Sequence, residues 1–409
     1  MPQANTSNPP QKRTRVAVVA AGIVSPLGFG LIETAESLRN ARDCVTPVTR
    51  FSVESCRCKT AGQIADDRLL NCSTGRMQRP ERLHRASRMM ICALQEMLAQ
   101  AMAFEPELTV VGTTSGGMTF GEEYYRTLHG RQKTRGTPSW IANYPPQKPV
   151  IDAQEALGLS APCQVIANAC ASGTNAIGHA FECVRSGRYR RVLTGGYDAL
   201  SELVFVGFDS LQAATPEKCR PFDSGRTGLV LGEGAAVLAL ENFDLAQARG
   251  APILAEITGY GISTDNHHLT QPNPSGIGPR QAMERALESA QLAPEAIDYI
   301  NAHGTATPFN DTVEGKAIAE LFDHVPISST KGMMGHSLGA AGAVEAAISI
   351  LALQHQFLPP NIHFRSGDAE LGLNIVANAA RPAKIRTVLS NSFGFGGTNA
   401  SVIIQSAAA

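Results

Sequence analysis

Short apolar runs that end in glycine or small polar residues recur along the chain, and longer segments separate them. In several of these segments the apolar residues repeat every three to four positions, which is typical of helices packed on one face. Strands that alternate with helices in this way predict an α/β protein. The predicted strands lie at residues 15–22, 108–112, 164–167, 191–195, 253–261, 296–302, 325–328 and 387–404.

Residues 83–102 carry the clearest helical pattern. Met90, Ala93, Leu94 and Met97 fall on one face of this segment, so a helix here would bury a single apolar stripe. The glycine-containing segment 229–240 is predicted instead to be a pair of strands bent at its glycines.

The second half of the chain repeats the order of elements seen in the first half. This repetition predicts an internal duplication, and it brings polar loops of the two halves to comparable positions where they can meet. The matched segments are 108–114 with 296–304, 164–178 with 325–353, and 229–240 with 387–404.

The duplication also predicts the division of the chain. Residues 1–14 are polar and contain Pro9-Pro10, so we expect a flexible tail. Residues 15–252 would form an N-terminal half, and residues 253–409 a C-terminal half.

Composition narrows the classes of function. Of the 409 residues 43% are hydrophobic and 17% charged, which fits a large globular core. The 35 basic and 36 acidic residues leave a net charge of −1, so there is no electrostatic case for a nucleic-acid or membrane partner. The nine scattered cysteines and a start without an apolar targeting segment predict a cytoplasmic protein with reduced thiols.

Cys170 follows a short apolar strand and precedes a run of small residues with helical spacing. This order predicts that Cys170 lies where a buried strand turns into a helix, beside free N–H groups and the positive end of the helix dipole. Such a setting depresses the pKa of a thiol and makes a thiolate nucleophile plausible. A buried structural cysteine is the competing interpretation, because free cysteine is among the most buried residue types.

Two histidines of the second half lie in loops of small residues. His303 and His336 each follow a predicted buried strand, and with a strand-end cysteine in the other half they favour catalysis over a structural role. Lys331 lies five residues before His336, and Glu345 interrupts an apolar helix, where a charge needs a partner. Zinc is a weaker interpretation, because no further ligand stands at metal-binding spacing beside either histidine.

Five motifs occur in order along the chain: ACASG (169–173), NAHGTATP (301–308), STK to GH (329–336), GAAG followed by Glu345 (339–345) and NSFGFGGT (391–398). Together they make the chain resemble the β-ketoacyl-acyl-carrier-protein synthases of the elongating type. The resemblance runs from about Arg15 to the C-terminus. It implies a thiolase-like fold with duplicated βαβαβαββ halves in a layered α-β-α-β-α arrangement, and a homodimer or a dimer with a related subunit.

The resemblance also implies a mechanism. Cys170 would take an acyl chain from its carrier protein as a thioester, and the N–H groups of Cys170 and Phe395 would form the oxyanion hole. His303 and His336 would bind the malonyl thioester and help to expel CO₂, so that the enolate attacks the acyl group in a Claisen condensation. No metal or other cofactor is implied, since the phosphopantetheine arm arrives with the carrier protein.

The remaining implied residues support these steps. Lys331 would order the histidines and pair with Glu345, and Phe395 would be a gate between the two half-reactions. Thr305 and Thr307 would bind the pantetheine arm. Substrate contacts are also implied for Phe393 and Leu229.

Two departures from the family pattern leave the pathway open. Leu229 stands where the family often has Phe, and the irregular insertion 44–80 lacks the sequence expected of a housekeeping fatty-acid enzyme. The sequence is therefore compatible with two alternatives, fatty-acid synthesis and a specialised polyketide or polyene pathway. In the latter, the chain would be a catalytic subunit active only with a chain-length partner.

Enzymes of different classes fit the sequence less well. A papain-like hydrolase lacks the second glycine-embedded histidine, and a thiolase would carry a second cysteine in the loop 391–398. A non-catalytic scaffold would not need the cysteine and both histidines, and a non-elongating acyltransferase remains open. An acidic carrier protein would dock on a basic patch, and the candidates are Arg185, Arg188 and Arg190, which follow the Cys170 helix. The competing interpretation is that these arginines are the solvated C-terminal end of that helix, where cations are favoured by the helix dipole.

Overall fold

A computed structural model describes residues 14–77, 79–101, 103–130 and 137–407 of the chain. Most of the predicted tail, residues 1–13, lies outside the described residues. The strands are β1 (Val16–Ser25), β2 (Gly28–Phe29), β3 (Val45–Pro47), β4 (Thr60–Gly62), β5 (Leu108–Gly112), β6 (Cys163–Ile166), β7 (Arg191–Asp198), β8 (Gly234–Asn242), β9 (Ala255–Thr264), β10 (Tyr299–Asn301), β11 (Pro326–Ser328), β12 (Phe357–Leu358), β13 (Asn374–Ile375), β14 (Arg381–Pro382), β15 (Thr387–Gly394) and β16 (Thr398–Gln405).

Helices connect most of these strands. They are α1 (Leu31–Arg39), α2 (Asp66–Asn71), α3 (Arg85–Gln100), α4 (Met118–His129), α5 (Thr137–Ala142), α6 (Lys148–Leu157), α7 (Ser172–Arg185), α8 (Glu202–Ser210), α9 (Phe243–Ala248), α10 (Ile277–Ala290), α11 (Pro308–Leu321), α12 (Lys331–Met334) and α13 (Ala341–His355).

The two halves build the same five-stranded unit. In the first half the strand order is β6-β5-β7-β8-β1, and in the second it is β11-β10-β15-β16-β9. In both units the first three strands are parallel and the last two pairings are antiparallel. The predicted duplication is therefore present in the sheet topology. Antiparallel pairing of β1 with β9 joins the two units.

Three clusters of buried apolar side chains hold the helices against the sheet and so define the layers of the fold. Helices α7 and α13 pack between the strands of both halves, α3 and α6 cover the outer face of the first unit, and α10 and α11 cover the outer face of the second. This arrangement gives the predicted α-β-α-β-α succession. The segment Leu338–His355 is long and apolar enough to cross a membrane, but 89% of it is buried inside the protein, so it is the central core helix.

Several sequence-based predictions need correction. Residues 229–240 do not form a bent strand pair: a single strand starts at Gly234, and the hairpin that matches β15–β16 is β7–β8. Gly232 instead allows this segment to pass close to the backbone of Met334, since a Cβ at position 232 would lie 2.5 Å from the carbonyl oxygen of Met334. The insertion 44–80 contains β3, β4 and α2. Cys72 and Cys92 form a disulfide, which contradicts the expectation of reduced thiols at these two positions.

Candidate active site

The turn between β6 and α7 carries Cys170, as its sequence predicts. Residues Ala169–Ala171 form one turn of 3-10 helix, and α7 begins directly after it. Ala169 has a φ of 56°, a left-handed conformation that costs energy for a residue with a Cβ. The Ser172 hydroxyl holds this turn, because it accepts from the Asn168 N–H at 2.9 Å and donates to the Ala169 carbonyl at 2.6 Å. Cys170 is thus fixed at the start of the helix with only 7% of its surface exposed.

Burial dominates the ionisation of Cys170. It raises the pKa of the thiol to about 11, although the Lys331 ammonium and the Phe395 N–H oppose this shift. The expected depression of the pKa by the helix N-terminus is therefore wrong in direction. At neutral pH this shift favours the thiol form of Cys170 over the thiolate.

His303 and His336 approach Cys170 from the second half. His303 lies after β10, and His336 follows the short helix α12. Their rings are 5.2 Å apart at an interplanar angle of 81°. The cysteine sulfur and one nitrogen of each ring all lie within 4.8 Å of one another. The three residues that the sequence singled out therefore meet at one point between the halves.

The neighbours of the two rings select one tautomer. The Leu338 N–H donates to His336 Nδ1 at 3.2 Å, so the ring proton of neutral His336 is on Nε2. The Lys331 ammonium lies 3.4 Å from His303 Nδ1 and favours the same tautomer there. Burial and the Lys331 charge both lower the pKa of His303 and of His336 well below the usual range. Both rings are therefore neutral hydrogen-bond donors through Nε2.

Lys331 and Glu345 form a fully buried ion pair behind His303. The Lys331 ammonium also donates to the carbonyl oxygen of His303 at 2.6 Å. Burial raises the pKa of Glu345 to about 7, and the Lys331 charge opposes that shift. The pair therefore fixes the backbone of the His303 loop and brings a positive charge beside Nδ1 of the ring.

Two sets of buried atoms are of the types that bind metal ions. The sulfur and nitrogens of Cys170, His303 and His336 are close enough to surround a metal ion. A neutral imidazole binds a metal through its unprotonated nitrogen, and in these rings that nitrogen, Nδ1, already lies against the Leu338 N–H or the Lys331 ammonium, which opposes coordination. Buried oxygens of the type that hard cations prefer also occur without a hydrogen-bond partner in the described part of the chain, among them Asn301 Oδ1, Glu345 Oε2 and Ser390 Oγ.

The loop after β15 closes over Cys170. Its Phe395 N–H lies close enough to Cys170 to act on the thiol pKa, and the Gly394 backbone passes so near that a Cβ there would lie 3.1 Å from the Cys170 nitrogen. Two backbone donors, on Cys170 and Phe395, are thus adjacent. The Phe395 ring stacks on Phe208 with centroids 5.4 Å apart, and the Phe393 ring lies 6.0 Å from that of His303.

A cavity of about 230 Å³ connects this centre to the surface. Cys170, His303 and His336 lie on its wall, and the hydroxyl-bearing Thr305 and Thr307 lie along it. Further predicted residues on the wall are Leu229, Phe393 and Phe395.

The predicted arginine patch lies elsewhere. Arg185 is the last residue of α7, and Cys170 precedes the first, so at roughly 1.5 Å per residue about 21 Å of helix separates them. Arg185 pairs with Glu182 and Arg190 with Glu107. Arg188 stands over the ring of Tyr189. The structure therefore does not bring this patch to the cavity.

Sequence reasoning missed the carboxylates that hold the His303 loop. Glu314 accepts the N–H groups of His303 and Gly304, both at 2.8 Å, and Asp311 accepts that of Ala306 at 3.1 Å. Burial raises the pKa of Glu314 to about 7, against these hydrogen bonds. Asp311 and Glu314 lie three residues apart on α11, which directly follows the His303 loop. This spacing is the signal in the sequence that could have identified them.

Comparison with known proteins places this site in context. The family described as "Beta-ketoacyl synthase, N-terminal domain" matches residues 13–246, and "Beta-ketoacyl synthase, C-terminal domain" matches residues 254–365. The chain is 35% identical over 407 residues to 3-oxoacyl-[acyl-carrier-protein] synthase 2 of Staphylococcus aureus strain COL, covering 96% of this chain and 98% of that protein. The identity to the protein of the same name from Synechocystis is also 35%, over 420 residues and with the same coverages.

Solved structures share the whole fold. "The ishigamide ketosynthase/chain length factor" superposes with a TM-score of 0.91 at 32% identity, covering 97% of this chain and 100% of that chain. A β-ketoacyl synthase from Burkholderia phymatum STM815 superposes with a TM-score of 0.87, with the same identity and coverages. The ketosynthase ApeO of Xenorhabdus doucetiae, solved in complex with its chain length factor ApeC, reaches 0.81 at 28% identity, covering 98% of this chain and 100% of that chain.

Proposed function

This chain belongs to the β-ketoacyl synthase family, and we propose that it catalyses the decarboxylative Claisen condensation of an acyl group with malonyl-acyl-carrier-protein. The product is a β-ketoacyl-acyl-carrier-protein, in fatty-acid or polyketide synthesis. The observation that carries the proposal is the meeting of the Cys170 thiol with the rings of His303 and His336 on the wall of one cavity.

In the first half-reaction Cys170 is the nucleophile. Its sulfur attacks the carbonyl carbon of the acyl thioester, and the oxygen that becomes negative accepts the N–H groups of Cys170 and Phe395. The carbon–sulfur bond to pantetheine then breaks. The departing pantetheine thiolate takes up the proton that the Cys170 thiol loses, which removes the need for a separate base.

In the second half-reaction the two histidines act as donors. The thioester oxygen of the malonyl group accepts Nε2–H from His303 and His336, so that negative charge can collect on it. The bond to the carboxylate breaks, CO₂ leaves, and the enolate carbon attacks the acyl-Cys170 carbonyl. The Cys170 thiolate is the leaving group of this step and takes up a proton from solvent, the one proton that the overall condensation consumes.

Other residues keep supporting roles in the proposal. Lys331 and Glu345 hold the His303 loop, and Thr305 and Thr307 bind the pantetheine arm. Phe395 acts as the gate, supported by its stacking on Phe208. Phe393 and Leu229 line the substrate cavity.

We assign the enzyme to the acyltransferases and to the cytoplasm, with no cofactor besides the carrier-borne arm. A related or identical subunit is proposed as its partner. The exposed apolar residues of α4 and α8, which include Tyr125, Leu128 and Leu203, offer a surface for it. The neighbouring structures solved with a chain length factor favour a second candidate, a catalytic subunit that acts only with such a partner.

Intact-mass measurement after incubation with acyl-carrier proteins of several chain lengths tests the proposal. Wild type is expected to gain the mass of one acyl group, which Cys170→Ala does not gain. Malonyl-carrier protein should then discharge the adduct to a β-ketoacyl product. An adduct that never extends would contradict the synthase assignment. Labelling that appears only after co-expression with a chain-length subunit would favour the second candidate.

A further inference from the structure

Asp198 is a fully buried carboxylate at the end of β7, and no ion pair to it is found among the described residues. Four donors surround it instead. Its Oδ1 accepts the Thr113 hydroxyl at 2.8 Å and the Ser115 N–H at 2.7 Å. Its Oδ2 accepts the N–H groups of Thr114 at 2.8 Å and of Gly339 at 2.7 Å. A buried carboxylate that accepts four hydrogen bonds holds in place the chain segments to which the four donors belong.

The donors belong to two segments that lead to the reacting groups. Thr114 donates its hydroxyl to the carbonyl oxygen of Ala169, the residue before Cys170, at 3.1 Å. Gly339 adjoins Leu338, whose N–H donates to Nδ1 of His336. Thr114 therefore links the Asp198 carboxylate to the Cys170 turn, and Gly339 links it to the His336 turn.

Both turns contain a strained residue that needs such support. Ala169 has a φ of 56° and Leu338 a φ of 53°, left-handed values that a side chain with a Cβ rarely adopts. Strained residues persist only where their surroundings hold them in several ways. The Thr113–Ser115 loop, tied to Asp198, contacts the first turn, and Asp198 itself binds the second.

The fit leaves no room for substitution at Gly339. A Cβ there would lie 2.8 Å from Asp198 Oδ2 and 2.5 Å from the Thr114 nitrogen. A glycine is therefore what allows the turn after His336 to approach the carboxylate closely enough to donate its N–H.

We propose that Asp198 is a positioning residue, which holds the Cys170 turn of the first half and the His336 turn of the second half in register for the condensation. This inference rests on the proposed function. Its support is the hydrogen-bond geometry around one carboxylate that reaches both turns.

The charge of Asp198 provides an independent readout. Burial raises the pKa of Asp198 to about 6, so the carboxylate is largely ionised at pH 8. Its charge contributes, together with that of Glu345, to the raised pKa of the Cys170 thiol, and Lys331 acts in the opposite direction. The other titratable groups facing the thiol, His303 and His336, are neutral. Removing the Asp198 charge should therefore lower the pKa of the thiol.

The test compares Asp198→Asn with wild type in two assays. The amide NH₂ cannot accept the N–H groups that one carboxylate oxygen accepts now, so condensation is expected to slow by about 10- to 100-fold, the loss of one to two such hydrogen bonds. Alkylation of Cys170 by iodoacetamide at pH 8 is expected to become severalfold faster, with a pH profile shifted to lower pH.

Two further variants separate the causes. Asp223→Asn alters a buried carboxylate outside the cavity wall that also accepts backbone N–H groups, and it should leave the alkylation profile as in wild type. Thr113→Val removes one donor but keeps the charge, so condensation should slow several-fold while alkylation stays at the wild-type rate. This variant also serves if Asp198→Asn does not fold.

The outcomes are distinguishable. If wild type does not condense, the proposed function fails, whatever the variants do. If wild type condenses and Asp198→Asn condenses equally fast, the positioning role is refuted. It is also refuted if Asp198→Asn and Asp223→Asn slow condensation alike and neither shifts the alkylation profile, since that result means only general loosening.

Discussion

The loops after β5 and β10 occupy equivalent positions in the two halves, and each is held by a buried carboxylate. In the first half Asp198 accepts the N–H groups of Thr114 and Ser115. In the second, Glu314 accepts those of His303 and Gly304. The first loop carries hydroxyl groups and supports the neighbouring Cys170 turn, whereas the second carries the His303 imidazole, a donor in the proposed mechanism. The way of holding the loop is common to both halves, and the chemistry is not.

The turns after β6 and β11 differ in the same way. Cys170 is in the turn itself, while His336 comes after the extra helical turn of α12. The α12 turn begins with Lys331, whose ammonium contacts the His303 loop and Glu345. In the proposed mechanism the duplicated scaffold divides the reaction: the nucleophile is in one half, and the donors that would stabilise the enolate, with the Lys331 cation beside them, are in the other.

The largest effect is expected from removing that cation. Lys331→Met leaves Glu345 buried without its partner, which should lower the free energy of unfolding by about 3–5 kcal/mol. Urea unfolding measures this loss. The double variant Lys331→Met/Glu345→Leu should recover most of the stability but not the decarboxylation. A single variant as stable as wild type would contradict the buried pair.

The histidines come next. His303→Ala or His336→Ala should slow malonyl decarboxylation by about 10²–10³-fold, as expected when one preorganised donor is lost. Acylation of Cys170 should change much less, because its oxyanion donors belong to the backbone. Release of CO₂ and the mass of the acyl adduct measure the two steps separately. Equal loss in both assays would mean that the halves do not divide the reaction.

A smaller effect is expected at the loop-holding carboxylate of the second half. Burial raises the pKa of Glu314 from 4.5 to about 7, so the folded protein binds this proton more tightly than the unfolded chain. Its contribution therefore makes stability fall as pH rises from about 4.5 to about 7, by up to about 1.4 kcal/mol per pH unit. Unfolding of Glu314→Gln at pH 5, 6 and 7 should show a flatter dependence than wild type. Identical slopes would count against the shift.

The smallest effect is expected at the far end of α7. Arg188→Glu should change the KM for the acyl-carrier protein by less than about twofold, because an exposed charge distant from the cavity contributes little. Steady-state kinetics with the carrier as varied substrate, at two salt concentrations, measure this change. A clear salt-dependent rise in KM would instead support the predicted docking patch.

Local patterns were sufficient to single out the three candidate site residues that the fold brings together. Cys170, His303 and His336 each follow a short apolar strand, and strand ends of a duplicated α/β fold converge, so the sequence predicts both their positions and their meeting. The layered fold and the family resemblance are confirmed by the topology and by the related proteins.

Long-range packing explains what the sequence could not predict. Asp198 binds a residue 141 positions away, and Phe208 stacks on Phe395 from a distant helix. The pKa of Cys170 is shifted opposite to expectation because burial of the thiol disfavours the thiolate, and the Lys331 charge and the Phe395 N–H do not compensate for that burial. The disulfide between Cys72 and Cys92 likewise depends on the placement of the insertion against α3.

The division of the reaction between the halves is tested most directly by assaying Cys170→Ala and His303→Ala side by side for acyl adduct and for CO₂ release. We predict a complementary pattern: Cys170→Ala forms no adduct yet still releases CO₂ from malonyl-carrier protein, and His303→Ala forms the adduct but releases almost none. Loss of both steps in both variants would contradict the account.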